Sequence, residues 1–249
     1  MTDGSVLPLS TTAEERDRGA RVAVLPIGSF EQHGPYLPLT TDTLIATTIT
    51  AAIGAAYPVL RLPPITISCS HEHAAWAGTV SISAPTLAAV VGDVADSLLG
   101  AGIGRLVLVN GHGGNYVLSN VVQEAGPAAG PSASAGRPGN RCRMALFPIL
   151  ETWEKARRAA GIGTSADSDM HAGELETSLL LHAHPDVIRP GYAASDHLAD
   201  DRAHLLTLGL AAYTESGVVG RPSAASADKG RAALASLVAS FGETLSALG

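Results

Sequence analysis

Charged side chains are scarce in this sequence. They make up 16% of its 249 residues, against about 25% in an average soluble protein. The 16 Lys and Arg and the 23 Asp and Glu leave a formal net charge of −7, and no basic run interrupts this balance. That pattern argues against a nucleic-acid partner. No apolar run reaches the roughly 18 residues that a membrane-spanning helix needs, so we also expect no membrane association.

Cysteine is almost absent. The two residues, Cys69 and Cys142, cannot form a disulfide framework, and they fit a reduced, cytoplasmic location. Both lie in apolar, strand-like segments that favour unreactive thiols, and no G-x-S-x-G motif is present. A nucleophilic serine or cysteine enzyme is therefore a weak hypothesis. Residues 1–20 lack the apolar core of a signal peptide and are expected to form an N-terminal extension.

Short apolar runs alternate with longer segments of helical period. The pattern predicts strands near 21–28 and 105–110 and helices near 41–57 and 204–214. This alternation favours a single α/β domain over residues 1–249, with a mostly parallel central sheet covered by helices on both faces. Residues 126–140, rich in Gly, Pro and Ala, are expected to form a flexible loop.

Histidine is the residue type that stands out, because nine are present in a chain so poor in charge. Glu31 and His33 follow the first predicted strand, and Asp42 lies where the next helix begins. In an extended segment Glu31 and His33 project on the same side. Two carboxylates and an imidazole suit Zn, Mn or Fe. The alternative is a helix-capping Asp42 with two ordinary loop side chains.

A glycine-rich motif, NGHGGN, follows the apolar run 105–110. The glycines beside His112 let the backbone approach a ligand closely and leave the imidazole accessible. Such a turn can also hold phosphate at a helix N-terminus. However, neither G-x-G-x-x-G nor a Walker lysine is present, so a metal-ligating His112 is the favoured interpretation.

The segment DMHAGELETS opens another predicted helix. His171 precedes the helix, and Glu174 and Glu176 lie in its first turns. Residues two apart on a helix point in different directions, so one glutamate can face the site while the other caps or pairs. His182 and His184, near the end of this helix, are interpreted as structural.

The segment Ser70-His71-Glu72-His73, followed by Trp76, comes after the second strand-like run. We expect it to supply substrate contacts, from His73 and Trp76, rather than a second metal site. His197 and His204 lack neighbouring acids or glycines of this kind and are assigned to the surface.

Four motifs, GSFEQHGPYLPLTTD, SHEHAAWAGT, NGHGGN and HAGELETS, occur in this order. Together they resemble the creatininase family of metal-dependent amidohydrolases, and the resemblance extends from Val22 to Pro222. It implies a three-layer α/β/α sandwich, a hexamer-like homo-oligomer, and one or two divalent ions per subunit (Zn, Mn or Fe). The implied activity is hydrolysis of a C–N amide bond by metal-activated water.

The resemblance also implies roles for individual residues. Glu31 and His112 would bind one ion and His33 the other, with Asp42 bridging the two. His171 matches the position of the general acid/base. The expected substrate-binding residues are His73, Trp76, Gly113, Gly114, Asn115 and Trp153, the last of these resembling an aromatic residue that covers the substrate.

One departure from the family pattern affects the substrate. Creatinine-hydrolysing members have a metal-binding Glu where this chain has Gly114, and Glu174 is the expected replacement, as a ligand and a catalytic residue. The WAGTVS stretch, with Ala77, resembles the branch of peptidases that trim the mycofactocin precursor peptide. The alternatives are a cyclic-amide or formamide hydrolase acting on a small molecule and a non-catalytic small-molecule binding module.

Overall fold

The computed structural model describes residues 7–126 and 141–249, and at its centre lies a parallel sheet. Within the described residues the sheet has four strands in the order β2-β1-β3-β4, and all three pairings are parallel. The strands are β1 (Ala23–Ile27), β2 (Leu60–Arg61), β3 (Arg105–Asn110) and β4 (Arg143–Phe147).

Helices cover both faces of this sheet. Apolar side chains of α2, α5, α6 and α8 pack on one face, and those of α3 and α4 pack on the other. The predicted three-layer α/β/α sandwich is therefore confirmed. The helices are α1 (Thr12–Arg18), α2 (Thr41–Ala56), α3 (Ala84–Gly100), α4 (Val117–Glu124), α5 (Leu150–Ala159), α6 (Glu174–Ala183), α7 (Leu205–Leu208) and α8 (Ala227–Leu248).

Strand β3 shows why the sequence is so poor in charge. Val107 and Val109 pack towards α2 and α8, whereas Leu106 and Leu108 pack towards α3 and α4. All four side chains have no exposed surface. A parallel strand covered on both faces is apolar throughout, so the sheet leaves little room for charge.

One sequence expectation needs correction. The helix predicted at 204–214 ends at Leu208, because Gly209 adopts a positive φ of 73° and a separate 3-10 turn follows. The expected N-terminal extension contains a helix, α1, that buries none of its residues. The loop expected at 126–140 lies, apart from residue 126, outside the described residues. None of the described helices is long and apolar enough to cross a membrane.

Candidate metal centre

The polar motifs meet beyond the carboxyl ends of β1 and β3, which is where open parallel sheets bind ligands. Glu31 and His33 lie in the segment that follows β1, and both are fully buried. Asp42, in the first turn of α2, is 1% exposed. Its Oδ1 lies 3.0 Å from Nε2 of His33, and the Ser29 hydroxyl donates to its Oδ2 at 2.6 Å. These contacts hold the Asp42 carboxylate towards the end of β1.

The turn after β3 brings His112 to the same point. Nδ1 of His112 lies 3.0 Å from Oδ2 of Asp42, and its Nε2 lies 3.2 Å from Oε2 of Glu31. Gly111 makes this approach possible, because a Cβ there would lie only 2.4 Å from the backbone oxygen of Asp42. Any side chain at that position would push the turn away from α2, so the glycine has a steric role.

The carboxylate of Glu31 occupies the centre of the cluster. Both of its oxygens are buried and have no hydrogen-bond partner among the described residues. Nε2 of His73 and Nδ1 of His171 lie 3.3 and 3.8 Å from its Oε1. A buried carboxylate that makes no well-aligned hydrogen bond is costly, so this arrangement suits a cation.

His171 presents one ring nitrogen to the cluster. Its Nε2 lies 2.7 Å from the carbonyl oxygen of Gln32 and donates to it in the neutral tautomer. That bond leaves the Nδ1 lone pair directed at Glu31. The imidazole is 4% exposed, and its orientation fits either a proton acceptor or a ligand.

The two glutamates of helix α6 take different roles, and the expectation for Glu174 does not fit the geometry. Its carboxylate accepts hydrogen bonds from the Lys229 ammonium at 2.5 Å and from the Thr164 hydroxyl at 2.8 Å. Glu176 instead lies with its Oε2 4.0 Å from Nε2 of His33. Because a lysine neutralises Glu174, the glutamate available to the cluster is Glu176.

The carboxylates hold two of the histidines in their charged form when no ion is bound. Burial on its own lowers the pKa of His33, but Asp42, Glu176 and Glu31 outweigh it and raise the pKa to about 9. Burial also opposes charge on His112, and Glu31 and Asp42 again raise its pKa above the usual range. In return, His33 and His112 keep the pKa of Asp42 low despite its burial.

The other two histidines are held neutral. Burial lowers the pKa of His73 to about 4, although Glu31 opposes the shift. Burial, and then the positive charge on His33, lower the pKa of His171. Burial raises the pKa of Glu176 to about 7. Carboxyl and imidazole groups whose pKa values are displaced in this way are typical of functional sites.

The cluster fits divalent metal. Three groups of three side chains could each hold an ion. Within each group every residue offers one ligand atom, and these atoms lie within 4.8 Å of one another. Imidazole nitrogens and carboxylate oxygens suit Zn, Mn and Fe, and the unpartnered Glu31 carboxylate supplies charge for a cation. The groups are Glu31, Asp42 and His112; His33, His171 and Glu176; and Glu31, His73 and His171.

A cavity of about 240 Å³ adjoins this cluster. Its wall includes His112, Gly113 and Glu176, together with the apolar side chains of Trp153 and Leu150. The structure thus brings Trp153 and Gly113, both expected to contact substrate, to the edge of the metal centre.

Three other expected substrate contacts have different surroundings. His73 lies inside the cluster beside Glu31. The Trp76 ring lies next to that of His73, with ring centroids 6.2 Å apart. Its indole N–H donates to the carbonyl oxygen of Glu215 at 3.4 Å. The Asn115 side chain accepts from the Cys69 amide and donates to the Asn110 side chain, so it fixes the turn.

The Glu72 carboxylate lies against Gly114, a contact that the sequence did not predict. A Cβ at Gly114 would lie 2.1 Å from Oε1 of Glu72 and 2.4 Å from Nε2 of His112. Glu72 Oε1 itself lies 3.6 Å from that nitrogen. A side chain at Gly114 would displace both neighbours, and a carboxylate from a distant segment occupies the space instead. Only the SHEH motif pointed to Glu72.

The two cysteine thiols are unsuited to act as nucleophiles. Cys69 and Cys142 are free and buried. Burial raises the pKa of Cys69 and raises that of Cys142 to about 11. Both thiols are therefore protonated at neutral pH, which agrees with the expectation that they are unreactive.

Comparison with known proteins decides the family. The family model described as "Creatininase: Creatinine amidohydrolase" matches residues 9–245. This chain belongs to the creatininase family. Membership confirms the predicted enzyme class, a hydrolase that acts on C–N bonds.

Several curated relatives of this creatininase-family chain carry more specific names. A mycofactocin precursor peptide peptidase of Mycobacterium tuberculosis is 35% identical over 246 residues, which cover 92% of this chain and 86% of that protein. A creatinine amidohydrolase of Pseudomonas putida is 27% identical over 181 residues, covering 68% of this chain and 67% of that protein. The predicted resemblance to the peptidase branch is therefore confirmed.

Solved structures show the same fold. A creatinine amidohydrolase (creatininase) superposes with a TM-score of 0.76 at 24% identity, covering 95% of each chain. A mutant creatininase described as the Zn-Zn type gives a TM-score of 0.76 at 23% identity over 97% of each chain. At this identity the likeness establishes the fold alone.

Proposed function

We propose that this chain is a metal-dependent peptidase that trims a precursor peptide of the mycofactocin type. The observation that carries the metal chemistry is the Glu31 carboxylate, which is fully buried, is surrounded by imidazole nitrogens and makes no well-aligned hydrogen bond among the described residues. The similarity to peptidases of that name at 32–35% identity supports the peptide substrate.

Two ions have ligands in the cluster. Glu31, His112 and Asp42 would hold one ion. His33 and Glu176, with Asp42 as the bridging residue, would hold the other, because Oδ1 of Asp42 faces His33 while its Oδ2 faces His112. This assignment places Glu176 where Glu174 was expected. The donor set suits Zn, Mn or Fe without choosing among them.

In amide hydrolysis at this site, the ion would activate water and the protein side chains would move protons. A bound divalent ion lowers the pKa of a coordinated water to about 7 and polarises the amide carbonyl. His171 is placed to move the proton at Nδ1, because its Nε2 is engaged by the Gln32 carbonyl. Burial lowers the pKa of His171, so the imidazole is neutral at neutral pH. Its free Nδ1 could then accept a proton and pass it to the leaving nitrogen. The Ser29 hydroxyl holds Asp42 in place for both ions.

The site favours a peptide over creatinine. At Gly114, where creatinine-hydrolysing members carry a glutamate, a side chain would collide with Glu72 and His112. The cavity beside Glu176 is lined largely by apolar groups, among them Trp153, Leu150 and Leu179. Apolar walls are usual in ligand sites, and this one can hold an apolar side chain of a peptide.

Hydrolysis assays with matched substrates test the proposal. The purified chain, loaded with Zn²⁺ or Mn²⁺, is incubated with a synthetic mycofactocin-type precursor peptide, with creatinine and with an N-formyl amine. We expect the peptide to be cleaved and the other two to be left intact. Turnover of creatinine or of the formyl amine alone would support the small-molecule alternative. Binding of the peptide without any turnover would support the non-catalytic module. The cytoplasmic location and the homo-oligomeric state stay predictions.

A further inference from the structure

Ala172 has an unusual backbone conformation. Its φ of 53° is the only positive value at a non-glycine residue in the described part of the chain. A left-handed conformation crowds the Cβ of an L-residue, so it persists only where the surrounding structure imposes it. Ala172 is fully buried and lies directly after His171. Strain of this kind beside a metal centre calls for a physical cause.

The cause lies in two hydrogen bonds, one on each side of the residue. The Tyr36 hydroxyl donates to the Ala172 carbonyl. The Ala172 amide donates to Oε2 of Glu176 at 2.6 Å. Tyr36 is fully buried and belongs to the segment after β1 that also carries Glu31 and His33.

Rotation about φ of Ala172 links these two bonds. This rotation is about the N–Cα bond of Ala172. The amide that donates to Glu176 lies before that bond, and the carbonyl that accepts from Tyr36 lies after it. The Ala172 amide shares a planar peptide group with the His171 carbonyl, which accepts a hydrogen bond from the Val219 amide. If Ala172 relaxed to a negative φ, its carbonyl and the start of helix α6, which carries Glu176, would therefore turn relative to that amide. The backbone of His171 is held separately, by hydrogen bonds to Val219 of 3.0 and 2.9 Å. Loss of the Tyr36 bond would therefore disturb Glu176 more than His171.

We propose that Tyr36 is a positioning residue for the metal centre, holding Ala172 in its left-handed conformation so that the Ala172 amide orients the Glu176 carboxylate. The inference rests on the proposed metal-dependent function. Tyr36 itself contacts neither an ion nor substrate; it acts through one backbone residue.

Metal binding by the variant Tyr36→Phe tests the proposal. The full chain is stripped with a chelator and titrated with Mn²⁺, and free Mn²⁺ is followed by electron paramagnetic resonance. We expect Tyr36→Phe to weaken the same ion that Glu176→Gln weakens, by about 10- to 100-fold, as is usual for residues that orient metal ligands. Tyr57→Phe is the matched control, because the Tyr57 hydroxyl also donates to a backbone carbonyl, that of Val238, at 3.1 Å.

Substitution of Ala172 separates a backbone effect from a general loss of packing. In the Tyr36→Phe background, Ala172→Gly should recover part of the Mn²⁺ affinity, because glycine adopts positive φ without steric cost. Ala172→Gly alone should bind Mn²⁺ as tightly as the parent and melt at the same or a higher temperature. If Tyr36→Phe does not fold, the double variant is compared with Ala172→Gly instead, because these two chains differ only in the Tyr36 hydroxyl. A lower melting temperature together with tenfold weaker binding in Ala172→Gly would overturn the proposal.

The remaining outcomes are also distinct. Parent-like Mn²⁺ binding in Tyr36→Phe, or equal losses in Tyr36→Phe and Tyr57→Phe, would overturn the inference and leave the proposed function intact. Failure of the double variant to recover any affinity would show that Tyr36 does not act through Ala172. If the parent chain binds neither Mn²⁺ nor Zn²⁺, or if Glu176→Gln leaves its metal affinity unchanged, the proposed metal centre itself is refuted.

Discussion

Asp42 and His112 come from segments that follow different strands, yet Oδ2 of Asp42 and Nδ1 of His112 lie 3.0 Å apart. The other oxygen of Asp42 lies 3.0 Å from His33. One carboxylate therefore faces both candidate ion positions. The carboxyl ends of β1 and β3 are neighbours in the sheet, and this brings the side chains together.

Replacement of Asp42 should remove both ions. We expect Asp42→Ala to retain less than about one tenth of the parent's bound metal, because each ion loses a ligand that the other also uses. Elemental analysis after dialysis measures the loss, and circular dichroism checks that the chain stays folded. Asp93→Ala, at an exposed position on α3, is the control and should bind metal like the parent. Full occupancy in Asp42→Ala would exclude Asp42 as the bridging residue.

Glu174 and Glu176 form a matched pair for separating a structural acid from a ligand. Glu176→Gln should lower the metal content by about one ion per chain. Glu174→Gln should keep both ions but lower the free energy of unfolding by about 1–3 kcal/mol, because it weakens the pairing of the Lys229 ammonium. Metal analysis and urea unfolding measure both effects. The opposite pattern would restore Glu174 as the ligand.

His171 should be needed for turnover more than for metal binding. We expect His171→Asn to retain its metal and to lose about 10²- to 10⁴-fold in kcat, the usual contribution of a general acid/base. Steady-state kinetics with parallel metal analysis distinguish the two effects. Loss of an ion together with activity would instead identify His171 as a ligand, which the candidate groups also allow.

The metal-free protein should lose stability as the pH rises above neutrality. His33 has a pKa of about 9 against an ordinary 6.5, so its contribution is lost between these values. Glu176, with a pKa of about 7 against 4.5, loses its contribution earlier, before the pH exceeds neutrality. A pKa raised by folding adds stability that is complete below the unfolded value and disappears as the pH passes the folded value. His73 and His171, whose pKa values are lowered, weaken the fold only at acid pH.

The corresponding measurement is the melting temperature in chelator at pH 6.5 and at pH 9. We expect a lower value at pH 9, and a larger stabilisation by added Zn²⁺ there, because fewer protons compete for the ligands. His33→Asn should reduce the pH dependence of the chelated protein. A metal-free protein that melts higher at pH 9 than at pH 6.5 would contradict these pKa shifts.

Much of the centre could be predicted because its residues lie in short motifs at strand ends. Glu31, His33 and His112 each follow a β-strand within a few residues, and Asp42 begins the next helix. The rule that ligands bind beyond the carboxyl ends of parallel strands then brings these motifs together. Strand β3 was equally clear, because both of its faces are buried.

Other parts depend on contacts between distant segments that no local pattern reveals. The choice between Glu174 and Glu176 depends on Lys229, which lies 55 residues beyond Glu174 on α8 and neutralises it. Glu72 reaches the space beside Gly114 from the 3-10 turn at His71–His73. The predicted helix at 204–214 failed for a local reason, because Gly209 adopts a positive φ.

We propose that the buried cluster around Glu31 holds the divalent metal that amide hydrolysis needs. The most direct test is to measure metal content and hydrolysis of the precursor peptide on one sample, before chelation, after chelation and after Zn²⁺ or Mn²⁺ is returned. We expect one or two ions per chain at the start, loss of turnover with loss of metal, and recovery of both together. Undiminished hydrolysis by the fully metal-free protein would contradict it.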